Sequence, residues 1–226
     1  MTEIDAPSPN HDERTAPIDL VVLHYTGMKT GEEALSRLRD PAAKVSAHFM
    51  VEKDGRVFRL VPEERRAWHA GIAEWKGAGD VNARSIGIEI VNPGHEWGYT
   101  DFPAVQVDAV CGLVDAAMKR HGVSAAGVVG HADVAPHRKE DPGERFPWNV
   151  LARRGLALPT WDGTLPEETP DGLAAYHLLE RIGYPVTRFG GAASTVAFQR
   201  RFVPRELGQG LNPPTRQAIG WVAAMV

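Results

Sequence analysis

The stretch from Val128 to Trp148, VVGHADVAPHRKEDPGERFPW, limits what this chain can fold into more than any other segment. It begins as a short apolar strand, breaks at Gly130 and continues as a charged loop that Pro136 and Pro142 stiffen. Pro142 also favours an extended backbone at Asp141. Binding and catalytic side chains concentrate on loops that a scaffold holds in place. We therefore expect this loop to carry part of a functional site.

A second apolar segment supplies a histidine. IDLVVLHYTG, residues 18–27, is predicted to form a buried strand that ends in His24, at the rim of a sheet. Together with His131 and Asp141 it would offer two nitrogens and one oxygen, and three protein ligands with an open fourth position are typical of a catalytic zinc site. The alternatives are a core histidine bonded to backbone at His24 or His131, and an Asp-Pro turn at Asp141.

Predicted strands and helices alternate along the chain. This alternation favours an α/β fold, with a central mixed β-sheet flanked by helices. The elements are a strand at 18–27, a helix at 31–41, a hairpin at 48–61 that turns at Asp54-Gly55, a strand at 85–91, a helix at 104–120 and the strand that enters the His131 loop.

Composition divides the chain into four parts. Residues 1–16 are predicted to be a flexible leader, and residues 17–160 the main domain. PTWDGTLPEETP is rich in proline and acidic residues, and the linker is placed at 161–170. Residues 171–226 are predicted to form a small domain of three short helices.

Bulk composition excludes several classes of protein. The chain has 226 residues, a net charge of −4, 43% hydrophobic residues and 24% charged residues, as expected for a globular protein. The charge gives no reason to expect nucleic acid, and no segment is apolar and long enough to span a membrane. We expect a monomer with neither of these partners.

Cysteine usage bears on the compartment. The single cysteine, Cys111, excludes an internal disulfide and is typical of a reducing environment. It lies in the apolar part of the helix at 104–120, which favours a buried side chain over a metal ligand. The first residues lack the pattern of a signal peptide. If Met1 is the natural start, a cytoplasmic protein is expected.

Four segments, VVLHYT, AWHAG, SIGIEI and GHADVAPHRKEDPG, together resemble the zinc-dependent N-acetylmuramoyl-L-alanine amidases of the type 2 family. That family shares its fold with phage T7 lysozyme and the peptidoglycan recognition proteins. The resemblance covers residues 15 to 160 approximately, and the last three helices resemble a small peptidoglycan-binding module. It implies a Zn²⁺ cofactor, peptidoglycan fragments as partners and hydrolysis of the amide between the lactyl group and L-alanine. By resemblance, the zinc ligands are His24, His131 and Asp141, and the catalytic pair is Glu89 and Lys139.

Glu89 and Lys139 also fit this chemistry by residue type. Zinc lowers the pKa of bound water to about 7 and polarises a carbonyl, but a side chain must still move the proton. Glu89 lies in the apolar strand SIGIEI, where burial would raise its pKa toward the range useful for acid/base catalysis. Lys139 would stabilise the oxyanion. The alternatives are a buried ion pair of Glu89 with Arg84, and a solvated loop lysine.

Four further residues are candidates for substrate binding. Tyr25 follows His24 and is expected to orient the metal site. Trp68 offers an apolar wall to a sugar or lactyl group, or belongs to the core. His69, within AWHAG, contacts substrate or is purely structural. Asn82 lines the cleft or makes a turn.

Three functions fit this sequence. The first is a cytoplasmic zinc amidase that acts on muropeptides, in their anhydro forms, during cell-wall recycling. The second is a phage-type endolysin with the same chemistry on the intact wall. The third is a non-catalytic peptidoglycan recognition protein, which predicts an incomplete set of metal ligands.

Overall fold

A mixed six-stranded sheet forms the centre of the computed structural model, which describes residues 3–226. Its order is β1-β5-β4-β7-β3-β8, while β2 and β6 form a separate antiparallel pair. The strands β4, β7, β3 and β8 are mutually parallel, and β5 is antiparallel to β4. The bounds are β1 Glu3–Asp5, β2 His11–Glu13, β3 Leu20–Tyr25, β4 Phe49–Val51, β5 Val57–Arg59, β6 Arg65–Ala67, β7 Ser85–Ile90 and β8 Val128–Gly130.

Helices cover both faces of this sheet, so the predicted α/β class with a mixed sheet flanked by helices is confirmed. The longest helix, predicted at 104–120, ends at His121: Gly122 follows it at φ 70°, a left-handed conformation that glycine adopts easily. The helices are α1 Gly31–Arg39, α2 Gly94–Trp97, α3 Ala104–His121, α4 His131–Val134, α5 Trp148–Arg153, α6 Gly172–Ile182, α7 Val186–Phe189, α8 Gly191–Phe202 and α9 Pro213–Ala223.

The strand β3 contributes to two hydrophobic cores because its side chains alternate between the faces of the sheet. Val21 and Leu23 pack in the cluster that contains α3. Leu20 and Val22 pack in the cluster that contains apolar residues of α6, α8 and α9. The C-terminal helices therefore cover one face of the sheet directly, and His24 continues the row of residues on that face.

The structure corrects the prediction of a flexible leader. β1 pairs parallel with β5, and β2 pairs antiparallel with β6. Asn10 is buried and donates from Nδ2 to the carbonyls of Asp40 and Val45, at 2.8 Å each. Short polar strands such as HDE show no hydrophobic alternation, so their order depends on tertiary pairing. Met1 and Thr2 lie outside the described residues.

The C-terminal region contains α6, α8 and α9 where three helices are predicted, with the short helix α7 between the first two. Between 161 and 170 the chain forms no helix or strand, and the backbone N–H of Trp161 donates to the carbonyl of Phe202 at 2.9 Å. Within residues 3–226, no helix has both the length and the hydropathy that a membrane crossing requires.

Candidate metal centre and active site

The parallel strands β3, β7 and β8 end at one edge of the sheet and bring three candidate residues together. His24 near the end of β3 is in register with Glu89 on β7. On the other side of β3, Leu23 is in register with Gly130, the last residue of β8, so His131 follows beside His24. The carboxyl ends of parallel strands form the usual position of a ligand site in open α/β sheets.

His24, His131 and Asp141 converge in a buried cluster. The Nδ1 atoms of the two imidazoles are 2.9 Å apart. Oδ2 of Asp141 lies 3.0 Å from Nδ1 of His131 and 3.2 Å from Nδ1 of His24. The exposed fractions of these residues are only 3%, 1% and 5% for His131, His24 and Asp141. The chain thus brings together the three residues that the sequence predicts as metal ligands.

The geometry and charge of this cluster suit a metal ion. Ligands at about 2.0 Å in a tetrahedron lie roughly 3.3 Å apart, close to the observed separations. Burial and the neighbouring His131 lower the pKa of His24 to about 4. Burial opposes ionisation of Asp141, but His131 and His24 together hold the pKa of its carboxyl well below the usual range. Neutral imidazoles and an ionised carboxylate are the forms that bind metals. Within residues 3–226, this is the one group of three such side chains close enough to share an ion.

A cleft of about 300 Å³ opens beside the cluster and is lined by Glu89 and Lys139 as well as His131 and Asp141. Oε2 of Glu89 is buried and has no hydrogen-bond partner. Burial raises the pKa of Glu89 well above its ordinary value, Asp141 raises it further, and Lys139 opposes both. The alternative ion pair with Arg84 is not formed, because that guanidinium binds Asp19, with Nε 2.8 Å from Oδ1.

The four predicted substrate contacts take different positions. Tyr25 and Trp68 line the cleft, and the hydroxyl of Tyr25 lies 3.0 Å from Nδ1 of His95. His69 also lines it, but both of its ring nitrogens are engaged, with His24 at 3.0 Å and Ser85 at 3.1 Å. Asn82 is not among the lining residues.

Asn82 lies behind the cleft. Its Oδ1 accepts from the backbone N–H groups of His69 at 3.1 Å and Ala70 at 2.7 Å. Both of these contacts are made to the AWHAG segment, so the side chain of Asn82 fixes the backbone that supports the cluster.

Known proteins match this chain over most of its length. Residues 14–144 match the family Amidase_2, N-acetylmuramoyl-L-alanine amidase. The N-acetylmuramoyl-L-alanine amidase AmiD of Escherichia coli (strain K12) is 34% identical over 83% of this chain and 75% of its own length. The 1,6-anhydro-N-acetylmuramyl-L-alanine amidase AmpD of Citrobacter freundii is 36% identical over 68% of this chain and 89% of its own length.

This chain belongs to the N-acetylmuramoyl-L-alanine amidase family. Two solved structures extend the match to more than nine-tenths of the chain. AmiD from E. coli, in complex with the substrate anhydro-N-acetylmuramic acid-L-Ala-D-gamma-Glu-L-Lys, superposes with a TM-score of 0.80 at 32% identity and covers 95% of this chain and 92% of that chain. AmpDh3 from Pseudomonas aeruginosa, in complex with anhydromuramic pentapeptide, has a TM-score of 0.78 at 28% identity. It covers 91% of this chain and 90% of that chain. Such coverage includes the C-terminal helices of the amidase.

The amidase has a polar rim that the sequence does not reveal. His95 is exposed, and its Nε2 lies 3.1 Å from Oε2 of Glu144. Arg200 of α8 reaches the same rim, with Nη2 3.3 Å from Glu140 and Nε 3.4 Å from Glu144. These residues are far apart in sequence and share no motif, so only the folded chain brings them together.

A second and larger groove of about 610 Å³ lies elsewhere on the amidase, where Arg59, Glu63 and Arg120 are among its lining residues. None of the predicted site residues lines it. Volume alone therefore does not locate the active site, and the smaller cleft is the candidate because it joins the ligand cluster to Glu89 and Lys139.

Proposed function

We propose that this protein is a zinc-dependent amidase that hydrolyses the bond between the lactyl group of N-acetylmuramic acid and L-alanine in muropeptides. The observation that carries the proposal is the convergence of His24, His131 and Asp141 beside a cleft that also contains Glu89 and Lys139. A non-catalytic recognition protein needs neither a complete set of metal ligands nor catalytic side chains beside it.

We assign the three converging residues as zinc ligands through Nδ1 of His24, Nδ1 of His131 and Oδ2 of Asp141. When bound, zinc acts as a Lewis acid on a water nucleophile and on the substrate carbonyl. The cluster contains three candidate protein ligands, the number typical of catalytic zinc sites, in which water or substrate would take the fourth position.

Glu89 is the proposed acid/base residue. We infer that its unpartnered Oε2 takes the proton of the attacking water and then passes it to the leaving amine nitrogen. The raised pKa of this carboxyl supports the role, since a catalytic acid/base works best when its pKa is near the operating pH.

Lys139 is the proposed partner of the carbonyl oxygen. It lies at the edge of the cleft, two residues before Asp141, and is partly exposed. Its ammonium group would donate to the oxygen that becomes negatively charged at the tetrahedral stage, which the uncharged ground-state carbonyl does not require. Tyr25 and Trp68 are proposed to contact the substrate at the same cleft.

Anhydro-muropeptides of cell-wall recycling are the proposed substrates. AmpD is named for the 1,6-anhydro sugar, and AmiD and AmpDh3 were solved with anhydro-muropeptide ligands. The decisive experiment incubates the protein with purified anhydro-muropeptide and with intact sacculi, each with and without a chelator, and identifies the products by mass. We expect cleavage of the soluble fragment that the chelator abolishes.

Variants make this experiment specific. Glu89→Gln should lower kcat about 10²–10⁴-fold, while Glu167→Gln, an exposed change far along the chain, should leave kcat unchanged. Full turnover by Glu89→Gln would show that a residue other than Glu89 moves the proton. Faster digestion of sacculi than of soluble fragments would favour the endolysin function instead.

The C-terminal helical unit is proposed to bind peptidoglycan, on the strength of its sequence resemblance to such modules. Co-sedimentation with sacculi in the presence of chelator tests this, because binding is then separated from hydrolysis. Recovery of all the protein in the supernatant would contradict it. The cytoplasmic location and the monomeric state are also proposals, to be checked by cell fractionation and by sedimentation velocity.

A further inference from the structure

A chain of buried hydrogen bonds runs from His24 away from the ligand cluster. Nε2 of His24 lies 3.0 Å from Nδ1 of His69. Nε2 of His69 lies 3.1 Å from Oγ of Ser85, and that hydroxyl donates to the carbonyl of Val81 at 2.5 Å. These hydrogen bonds therefore connect His24, a candidate metal ligand, to the backbone carbonyl of Val81 through the side chains of His69 and Ser85.

The donor and acceptor of each of these hydrogen bonds follow from the last one, in which the carbonyl of Val81 accepts. A carbonyl oxygen only accepts, so the single hydroxyl proton of Ser85 lies between Oγ and Val81. Ser85 must then accept from Nε2–H of His69. Burial disfavours a charged imidazole, and a neutral ring has one N–H, so Nδ1 of His69 accepts. The proton in the next bond consequently belongs to Nε2 of His24.

This order of protons leaves Nδ1 of His24 with a lone pair. Nδ1 is the atom that faces His131 at 2.9 Å and Asp141 at 3.2 Å. His131 is fixed in the same way, because its Nε2 lies 3.2 Å from the carbonyl of Ala70 and must donate to it. The adjacent residues His69 and Ala70 thus set the same tautomer in both imidazoles.

The segment that performs this task is itself held in place. Oδ1 of Asn82 accepts from the N–H groups of both His69 and Ala70. Gly87 on β7 makes room for the ring, since a Cβ there would lie 2.4 Å from Cγ of His69. Neither contact reaches the substrate cleft, so both serve the orientation of the segment.

We propose that His69 and Ser85 are positioning residues that hold His24 in the tautomer whose Nδ1 lone pair faces the ligand cluster, before any ion binds. This proposal rests on the proposed role of His24 as a metal ligand. Partners of a ligand imidazole typically change metal affinity about 10–100-fold. His69 therefore acts through His24, and its ring nitrogens are not available to substrate.

The first test uses the metal-free full-length protein. Long-range proton–nitrogen correlation spectra distinguish a protonated ring nitrogen from a bare one. We expect His24 to carry its proton on Nε2 in the wild type, and Ser85→Ala, which releases His69, to produce a mixture of His24 tautomers. A wild-type His24 protonated on Nδ1 would overturn the proposal.

The second test measures zinc affinity by competition with a chromogenic chelator. His69→Leu removes the acceptor and should weaken zinc binding about 10–100-fold. His69→Asn keeps an acceptor oxygen at the δ position and should remain within a few-fold of wild type. His177→Leu, at an exposed histidine of α6, is the matched control and should change nothing.

The outcomes separate this proposal from the proposed function. Equal losses for His69→Leu and His69→Asn would mean that the ring serves packing alone, which overturns positioning. A wild type that binds no zinc would remove the proposed function, while the spectra of the metal-free protein would still decide the tautomer of His24. If His69→Leu does not fold, the wild-type spectra decide between the two tautomers without it.

Discussion

At the scale of single residues, the site combines charges that burial penalises with partners that offset the penalty. Asp141 is buried, but the two histidines beside it hold the pKa of its carboxyl low. Glu89 has no such partner at Oε2, and burial raises its pKa well above the ordinary value. A cation at the ligand cluster would favour the ionised form of Glu89. Without one, this residue is a source of instability.

Replacing Glu89 should therefore stabilise the metal-free protein at neutral pH. A carboxyl whose pKa is higher in the folded than in the unfolded state binds more protons when folded, so stability falls as pH rises above the unfolded pKa of about 4.3. Glu89→Gln cannot titrate and should raise Tm at pH 7, with an advantage that shrinks as the pH falls toward that value. Thermal melts in the presence of chelator across this pH range measure the difference in Tm between the variant and the wild type. A difference that does not change with pH would show that titration of Glu89 is not its cause.

Lys139 should affect turnover without affecting the metal. Lys139→Met keeps the length of the side chain but removes its charge, and should lower kcat about 10²–10³-fold, as expected for loss of an oxyanion donor. Steady-state kinetics and zinc content measured on the same preparation test this. Loss of zinc in parallel with kcat would show that the lysine supports the loop rather than the reaction.

At the scale of elements, β7 serves the site in two ways within six residues. Glu89 lines the cleft, and Gly87 on the same strand leaves space for the ring of His69. Glycine normally weakens a strand, so its presence in a central strand indicates a close approach by another group. Here that group is a ring in contact with a candidate metal ligand.

Gly87→Ala should consequently destabilise the fold by about 1–3 kcal/mol, the usual cost of overpacking a well-packed site. Urea denaturation gives the change in the free energy of unfolding. Gly172→Ala, where a Cβ meets nothing within 4 Å, is the matched control and should stay within about 1 kcal/mol of wild type. Equal changes in the free energy of unfolding for the two variants would mean that the space at Gly87 is not needed.

At the scale of the whole molecule, the C-terminal helices are joined to the loop that carries His131 through the carboxylate of Asp133. Oδ2 of Asp133 accepts from Gly130 N at 2.7 Å and lies 2.8 Å from Nη1 of Arg201, and Oδ1 accepts from Tyr184 at 2.6 Å. Arg201 also donates from Nη2 to the carbonyl of Val128 at 2.9 Å. Both ends of β8 are thereby fixed, one of them by a helix from the other end of the chain.

Breaking this buried pair should destabilise the protein as a unit. Arg201→Met leaves the carboxylate of Asp133 without its charged partner and should cost about 3–5 kcal/mol. Arg188→Met is the control and should cost less than about 1 kcal/mol, because the guanidinium that it removes is exposed, although its pair with Glu74 joins the same parts of the molecule. Urea melts should show a single transition for both, because the helices and the sheet share a hydrophobic core. A separate early transition of the C-terminal helices would contradict this coupling.

The sequence alone was sufficient for the elements whose signal is local. Hydrophobic periodicity predicted α3, the Asp54-Gly55 turn predicted the hairpin, and alternating strands and helices predicted the mixed sheet. Residue types at strand ends and in the proline-stiffened loop also indicated which side chains converge. These features depend on neighbours within one element, or on the general rule that parallel strands end at a common edge.

Other features were decided only by tertiary structure. The order of residues 3–13 depends on strands contributed by residues 57–67, and the roles of His69 and Asn82 depend on contacts with His24 and with the AWHAG backbone. The physical reason is that hydrogen bonds and desolvation act over a few ångströms in space, whatever the separation along the chain. A sequence pattern identifies a histidine, but only its neighbours in the fold determine which of its nitrogens carries the proton.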